Sequence, residues 1–199
     1  MKPWLPVLML AALCGGCETV VFEAPPVAAQ ACDPALVGNW LSKGDQPADL
    51  GEVELRIDAA CKLLFVDHEQ DGVREGEPTT LHVGRDGRIA YAWVDAQWTD
   101  RRMDSASDAK QEDTKPSDFA AGDIVLMQYR VSGSKLELHQ ADPKLFAHRI
   151  IDGRIKGEVR RDAEGSMAVR VRAPVDAKAL RDSRLFPRGE MRFVRAGEK

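Results

Sequence analysis

Long apolar runs are missing from this sequence, which excludes a polytopic membrane protein, because each spanning helix needs about 20 apolar residues. Glycine and proline, at 16 and 11 of 199 residues, are too few for a collagen-like or low-complexity chain. A basic excess is missing as well, since the net charge is -4, and this argues against a nucleic-acid binder. The remaining composition, 44% hydrophobic and 30% charged, is that of one ordinary soluble domain with a tail.

Motifs that carry chemistry are also missing. The chain has no serine in a Gly-x-Ser-x-Gly elbow and no glycine-rich phosphate loop. The four histidines do not have metal-ligand spacing, and strand parity predicts that two of them face solvent, His82 and His139. We therefore expect no catalytic residue, no metal site and no cofactor, and an enzyme is the least favoured of three functional hypotheses.

The first residues carry a targeting pattern. Lys2 precedes an apolar stretch, Trp4 to Leu13, which has the length of a signal peptide. Gly15 and Gly16 then stand before Cys17, and this arrangement resembles the cleavage box of bacterial lipoproteins. The resemblance implies a signal peptide over residues 1–16, lipidation of Cys17 and, because Glu18 follows, anchoring on the periplasmic side of the outer membrane. Ordinary secretory cleavage at 29–31 is the alternative.

The roles that can be assigned to the four cysteines agree with this targeting pattern. Cys14 would leave with the signal peptide and Cys17 would carry the lipid, so Cys32 and Cys61 remain. In an oxidising periplasm two remaining cysteines most simply form a disulfide, whereas two isolated cysteines make a poor zinc site. Residues 17–31 contain two adjacent prolines and little that could pack, so we expect a lipid anchor followed by a flexible tether.

Alternating apolar and polar residues predict about eight or nine short antiparallel strands among ten candidate segments. Asp86-Gly87 and the Ser-Gly-Ser at 132–134 mark hairpin turns. Two helical segments are predicted, Asp142 to Ile151 after an Asp-Pro start and Asp176 to Leu185 between prolines. The strand segments are 37–41, 52–58, 61–68, 79–84, 88–95, 124–131, 135–140, 155–160, 167–172 and 191–193. This order predicts an all-β domain, an antiparallel meander barrel.

Gly38-Asn39-Trp40 opens the first predicted strand, and a Gly-x-Trp followed by about eight strands resembles the lipocalins and related calycin barrels. The resemblance covers residues 32–196. It implies that Trp40 closes one end of the barrel and that an arginine near the last strand, Arg192 or Arg195, packs over its indole. It also implies an interior whose lining would include Leu55, Tyr91, Trp93, Leu126 and Met167.

Charge is distributed unevenly along the chain. Residues 17–142 contain 12 basic and 24 acidic side chains, whereas residues 143–199 contain 15 basic and 8 acidic ones. The basic C-terminal third could contact an envelope protein or polyanion, or it could pair with the acidic strands. The charged segment 99–122 has almost nothing to bury and is predicted as a mobile loop, either a lid or a tolerated insertion.

Two functions are compatible with these features. The first is an envelope lipoprotein that binds an apolar or amphiphilic small molecule inside the barrel. The second is a structural or interaction module of the envelope whose barrel is filled by side chains, as small barrels often are. The same inward residues either line a cavity or fill it, so the sequence alone leaves both open.

Overall fold

A computed structural model describes residues 19–43, 52–69, 72–107, 119–161, 167–187 and 191–197. The predicted signal peptide, Cys17 and residues 108–118 of the predicted charged loop lie outside this range. The described residues form thirteen strands, two α-helices and a 3₁₀ helix at Ala177–Arg181. In chain order the elements are β1 Thr19–Phe22, β2 Gly38–Ser42, β3 Glu52–Ile57, β4 Lys62–Glu69, β5 Gly72–Glu75, β6 Thr79–Thr80, β7 His82–Asp86, β8 Ile89–Asp95, α1 Ala96–Ser107, β9 Ile124–Ser132, β10 Lys135–Gln140, α2 Pro143–Ile151, β11 Gly157–Arg161, β12 Met167–Val171 and β13 Met191–Arg195.

All the strands belong to one sheet. Its main path runs β11-β12-β1-β9-β10-β13-β2-β3-β4-β5, and β8 pairs with β9 beside this path. β4 also pairs with β6, β7 pairs with β8, and the single residue Leu81 separates β6 from β7. Neighbouring strands are antiparallel except β1 and β12, which are parallel with Thr19 opposite Ala168.

The all-β class is thus confirmed, but the sheet is not the closed antiparallel meander that the sequence pattern predicts. Its main path is open, with β11 and β5 at its two ends, and the β1–β12 pair makes it mixed. The difference arises because β11 and β12 do not continue the meander. They extend the sheet through β1, whose ladder with β9 consists of the single pair Phe22 and Ile124.

β1 lies in the segment that was expected to be a flexible tether. Val20, Val21 and Phe22 are each at most 4% exposed, because β12 and β9 flank them and α2 packs nearby. The next residue continues the connection, since the Glu23 backbone N–H donates to the Val171 carbonyl over 3.0 Å. Burial of three large apolar side chains offsets the cost of ordering the chain, so this part of 17–31 is structured.

α1 occupies the beginning of the segment 99–122 that was expected to be a loop. Asp95 precedes it, and its carboxylate accepts a hydrogen bond from the Trp98 backbone N–H, as an N-cap residue does. The Trp98 ring is buried against Phe65, with ring centroids 5.6 Å apart. The charged residues that suggested a mobile loop therefore begin inside a helix that one buried indole holds against the sheet.

Two hydrophobic cores lie on opposite faces of β8 and β9. The first core contains Leu36, Trp40, Leu55, Ile57, Cys61, Leu63, Leu81, Val83, Ala90, Ala92, Val94, Trp98, Met127, Tyr129, Leu136, Leu138 and Phe193. The second core contains Val20, Phe22, Tyr91, Trp93, Leu126, Phe146, Ala147, Ile155, Met167, Val169, Val171, Leu180, Leu185 and Phe186. Successive side chains of a strand point to opposite faces, so β8 sends alternate residues into the two cores and is buried on both sides.

Candidate functional site

Trp40 lies fully buried in the first core. Its indole N–H donates to the Leu36 carbonyl over 2.7 Å, which satisfies the one polar group of the ring. The Arg195 guanidinium lies 4.3 Å from the ring centroid, within the range of a cation–π contact. We call Gly38, Trp40 and Arg195 the Trp40 cap. The arginine over the indole is Arg195, whereas Arg192, the other candidate, has an exposed side chain on the opposite face of β13.

Packing within the Trp40 cap explains why a glycine stands two residues before Trp40. The Arg195 guanidinium also donates to the carbonyls of Ala35 and Val37, at 3.1 and 2.7 Å. It therefore crosses directly over Gly38, where a Cβ would lie 2.3 Å from Arg195 Nη1. Gly38 also has φ +137, a conformation that side chains rarely adopt. Only glycine leaves room at this position for the arginine that covers Trp40.

A disulfide and an ion pair hold the loop that leads into β2. Cys32 and Cys61 are bonded, as the cysteine count predicts. The neighbouring Asp33 carboxylate accepts hydrogen bonds from Arg85 at 2.6 Å and from the Tyr129 hydroxyl at 2.8 Å. Burial raises the pKa of Asp33, but the hydrogen bonds from Tyr129, the Ala35 N–H and Arg85 outweigh it and hold this pKa below its ordinary value.

The five residues expected to line a ligand cavity do not share one interior. Leu55 belongs to the first core, whereas Tyr91, Trp93, Leu126 and Met167 belong to the second. The alternation along β8 correctly places Tyr91 and Trp93 on one face. That face is covered by β1, β12 and α2, so these side chains pack against neighbouring elements and not against Leu55.

One histidine differs from its expected position. His82 is exposed, as strand parity predicts, and stacks on Trp93 with ring centroids 5.9 Å apart. His139 is only 7% exposed, so its expected solvent-facing position was wrong. Strand alternation correctly places His139 on the face of β10 that Leu138 does not share, but the protein covers that face at this point. His68 contacts the buried Glu54 carboxylate, whose pKa is held below its ordinary value chiefly by the Arg56 guanidinium.

A charged cleft of about 210 Å³ lies between α2 and the turn that follows the 3₁₀ helix. Its lining is Leu145, His148, Arg149, Asp152, Arg154, Asp182, Arg184 and Leu185. α2 and its C-cap residue contribute Leu145, His148, Arg149 and Asp152 to the lining. The helix begins where the sequence predicts. Asp142 caps it by accepting from the Leu145 N–H over 2.9 Å, and Pro143 occupies the first turn.

Asp182 organises the cleft. Its carboxylate accepts two hydrogen bonds from the Arg184 guanidinium, at 3.0 and 2.8 Å, and one from Arg149 at 2.6 Å. These donors, Arg184 first, hold the pKa of Asp182 far below its ordinary value, so the carboxylate stays ionised. Arg154 forms no ion pair with any residue that the structure describes. Three guanidiniums face two carboxylates, so the cleft can bind a phosphate or carboxylate group.

Several other C-terminal arginines pair with acidic residues from earlier in the chain. Arg170 donates to the buried Asp123 carboxylate at 3.0 and 2.9 Å and lies 3.1 Å from Glu23. Arg181 makes a bidentate contact with Asp86 at 2.9 and 3.0 Å. The uneven charge distribution therefore serves, in these pairs, to join distant segments. The cleft arginines use Asp182, which is close to them in sequence, and sequence reasoning missed the cleft because no motif marks it.

No protein-family model, curated protein or solved structure matches this chain, so no relative contributes a function or a site residue. Among the described residues, no group of three or more His, Cys, Asp or Glu side chains is placed to hold a metal ion. Within the same part of the chain, no helix has the length and apolarity to cross a membrane.

Proposed function

We propose that this chain is a non-enzymatic lipoprotein of a bacterial envelope, an interaction module whose barrel-like part is filled by side chains. One observation favours this interaction module over a small-molecule carrier. Side chains from all the strands around the first core, with Trp40, Trp98 and Tyr129 among them, pack into a single buried cluster. The five residues of the expected ligand lining are meanwhile divided between two cores.

A barrel-like, lipocalin-related arrangement of this part is supported by two features. Arg195 lies over Trp40, which is the contact that the family resemblance implies. In addition, β6 and β7 are separated only by Leu81, so together they link β4 to β8. Strands β2, β3, β4, β8, β9, β10 and β13 also contribute side chains to the first core.

The envelope location is supported by the N-terminal sequence and by the disulfide. Lys2, the apolar stretch that follows and Gly15-Gly16-Cys17 favour lipidation of Cys17. Disulfides persist mainly in oxidising compartments such as the periplasm, so the Cys32–Cys61 bond is in keeping with export. Glu18 after the lipidated residue favours the outer membrane, on its periplasmic side.

The charged cleft is the surface that we propose for contact with an envelope partner, through a phosphate or carboxylate group. Arg149 and Arg184 are held in place by Asp182, so they lose little side-chain entropy on binding an anion. Leu145 and Leu185 add apolar surface beside the charges. A polyanion that carries acyl or sugar groups next to its phosphates matches this combination.

Native mass spectrometry of the full-length protein, extracted from membranes in a mild detergent, tests the filled core. We expect the mass of the polypeptide plus the N-terminal acyl groups and nothing else. A further lipid or metabolite that dissociates as one discrete mass would instead establish a carrier. Globomycin should cause the precursor to accumulate, and Cys17→Ala should abolish acylation; a wild-type protein without acyl groups would contradict the lipoprotein proposal.

Titration with inorganic pyrophosphate tests the cleft separately. We expect Arg154→Gln to weaken binding about ten-fold or more, because a charge-assisted contact contributes roughly 1.5–3 kcal/mol. Arg192→Gln is the matched control, since this exposed arginine on β13 lies outside the cleft lining. Equal affinities of the wild type and Arg154→Gln would remove the cleft from the proposal and leave the filled core unaffected.

A further inference from the structure

The position of β1 restricts how far a lipid anchor could lie from the domain. Thr19 is the first residue of β1 and stands opposite Ala168 of β12. Cys17 precedes Thr19 by two residues, and two residues of extended chain span at most about 7 Å. A lipid on Cys17 would therefore enter the bilayer next to the first residue of a buried strand, with no tether between them.

The strands beside β1 show which residues lie next to Thr19 at this end of the domain. Arg160 of β11 stands opposite Ala168, so Thr19, Ala168 and Arg160 form one row across three strands. Neighbouring strands are about 4.8 Å apart, which places Arg160 about 10 Å from Thr19. Arg161 lies one residue further toward the end of β11, opposite Met167. Both arginine side chains are exposed.

The charged cleft belongs to the other end of these strands. Gly157, Val171 and Phe22 form a row three residues away from the first, about 10 Å along the strand direction. Ile150 of α2 packs directly over Gly157. A Cβ added at Gly157 would lie only 2.5 Å from Ile150 Cδ1. The C-terminal end of α2, which includes exposed Ile151, and the cleft residue Arg154 therefore lie near this second row.

We propose that the end of the domain formed by Thr19, Ala168, Arg160 and Arg161 lies against the membrane surface, while the cleft faces away from it. The proposal depends on the lipid anchor at Cys17 proposed above. Guanidinium groups bind phosphate oxygens with paired hydrogen bonds. Arg161 lies one residue nearer this end of β11 than Arg160, which shares Glu158 with Arg172. The exposed guanidiniums of Arg160 and Arg161 match the phosphates of phosphatidylethanolamine headgroups.

Short-range quenching in vesicles tests this orientation with the full-length acylated protein. Ala168→Cys and Ile151→Cys provide two exposed, uncharged positions for a fluorescent label, one at each end. The vesicles contain phosphatidylethanolamine, phosphatidylcholine and a small fraction of lipid with a nitroxide on its headgroup. We expect the label at position 168 to be quenched at least two-fold more than the label at 151.

A linker variant isolates the cause of this difference. Twelve Gly and Ser residues inserted between Glu18 and Thr19 should make the two labels equally quenched, because the domain then moves and turns freely. The same insertion in the β9–β10 hairpin at Gly133 is the control and should leave the difference unchanged.

The outcomes separate the two proposals. Mass spectrometry of the N-terminal peptide first establishes whether Cys17 carries acyl groups. An acylated protein with equal quenching at both positions, or with stronger quenching at 151, would overturn the orientation while the lipoprotein proposal stands. A protein without acyl groups would overturn both proposals together.

Discussion

The hydroxyl group of Tyr129 donates a hydrogen bond to the carboxylate of Asp33 over 2.8 Å, between residues that are 96 positions apart. Tyr129 lies in the first core on β9, and Asp33 lies in the loop next to the disulfide. Arg85 binds the same carboxylate and lies 5.8 Å from the Tyr129 ring centroid. One carboxylate thus fastens the loop that precedes β2 to two other strands.

Tyr129→Phe should lower the free energy of unfolding by about 1–2 kcal/mol, because a buried hydrogen bond to a charged group is lost while the ring remains. Urea unfolding of the wild type and the variant measures this change. Combining Tyr129→Phe with Asp33→Ala, which removes the acceptor, should cost less than the sum of the single variants, since both remove the same bond. Additive effects would show that the two groups do not interact in solution.

Low pH should weaken the attachment of the same loop to the rest of the domain. The pKa of Asp33 is lower in the folded protein than its ordinary value of 3.8, so the unfolded chain binds a proton more readily. The stabilisation is therefore complete above this value and is lost as pH falls below it. We expect Asp33→Asn to destabilise the protein more at pH 7 than at pH 3 in urea unfolding. An equal loss at both pH values would contradict the depressed pKa.

Gly38→Ala should disrupt the Trp40 cap. The new methyl group would displace Arg195 and hold alanine at an unfavourable φ, at a cost of roughly 2–4 kcal/mol. Gly133→Ala is the matched control, because Gly133 also has positive φ, +59, but nothing lies within 4 Å of a Cβ there. Intrinsic fluorescence should report a changed environment of Trp40 in the first variant alone; unchanged emission there would disprove the close packing.

Removal of the disulfide should destabilise the domain by about 3 kcal/mol, because the bond closes a loop between residues 29 positions apart. The double variant Cys32→Ser, Cys61→Ser and chemical reduction of the wild type should give the same loss in urea unfolding. Alkylation of unreduced protein should leave both cysteines unlabelled. Labelling of both residues in the native protein would mean that the bond does not form.

Deletion of β1 should open the second core. A chain that starts at Gln30 lacks Val20 and Phe22, which pack in that core, and it exposes the edge of β12. We expect the shorter chain to bind a hydrophobic dye and to lose thermal stability, whereas a chain that starts at Thr19 should behave as the wild type does. Equal melting temperatures for the two truncations would contradict the role of β1.

Much of the strand order was predictable because alternation is a local property. In β3, Leu55 and Ile57 point to the first core and Arg56 points outward, which is the pattern of a half-buried strand. The Gly-x-Trp motif likewise led to the Trp40 cap, although it could not decide between Arg192 and Arg195. That choice depends on which face of β13 covers the indole.

The remaining features depend on distant parts of the chain. β1 has four residues and stands near two prolines, so it depends on its pairing with β12 and β9, and not on local sequence, to form a strand. Tyr91 and Trp93 were assigned to a ligand lining because alternation identifies a face but not what covers that face. The charged cleft forms where α2 meets the turn at Asp182, and no local pattern predicts that meeting.

The placement of β1 also orders events during synthesis. The first strand of the domain pairs with a strand that begins at Met167, so the second core cannot close until nearly the whole chain has been made. Contacts between such distant segments slow folding. Until they form, the apolar Val-Val-Phe segment and the β12 edge stay open to other chains, so the nascent domain is exposed to aggregation.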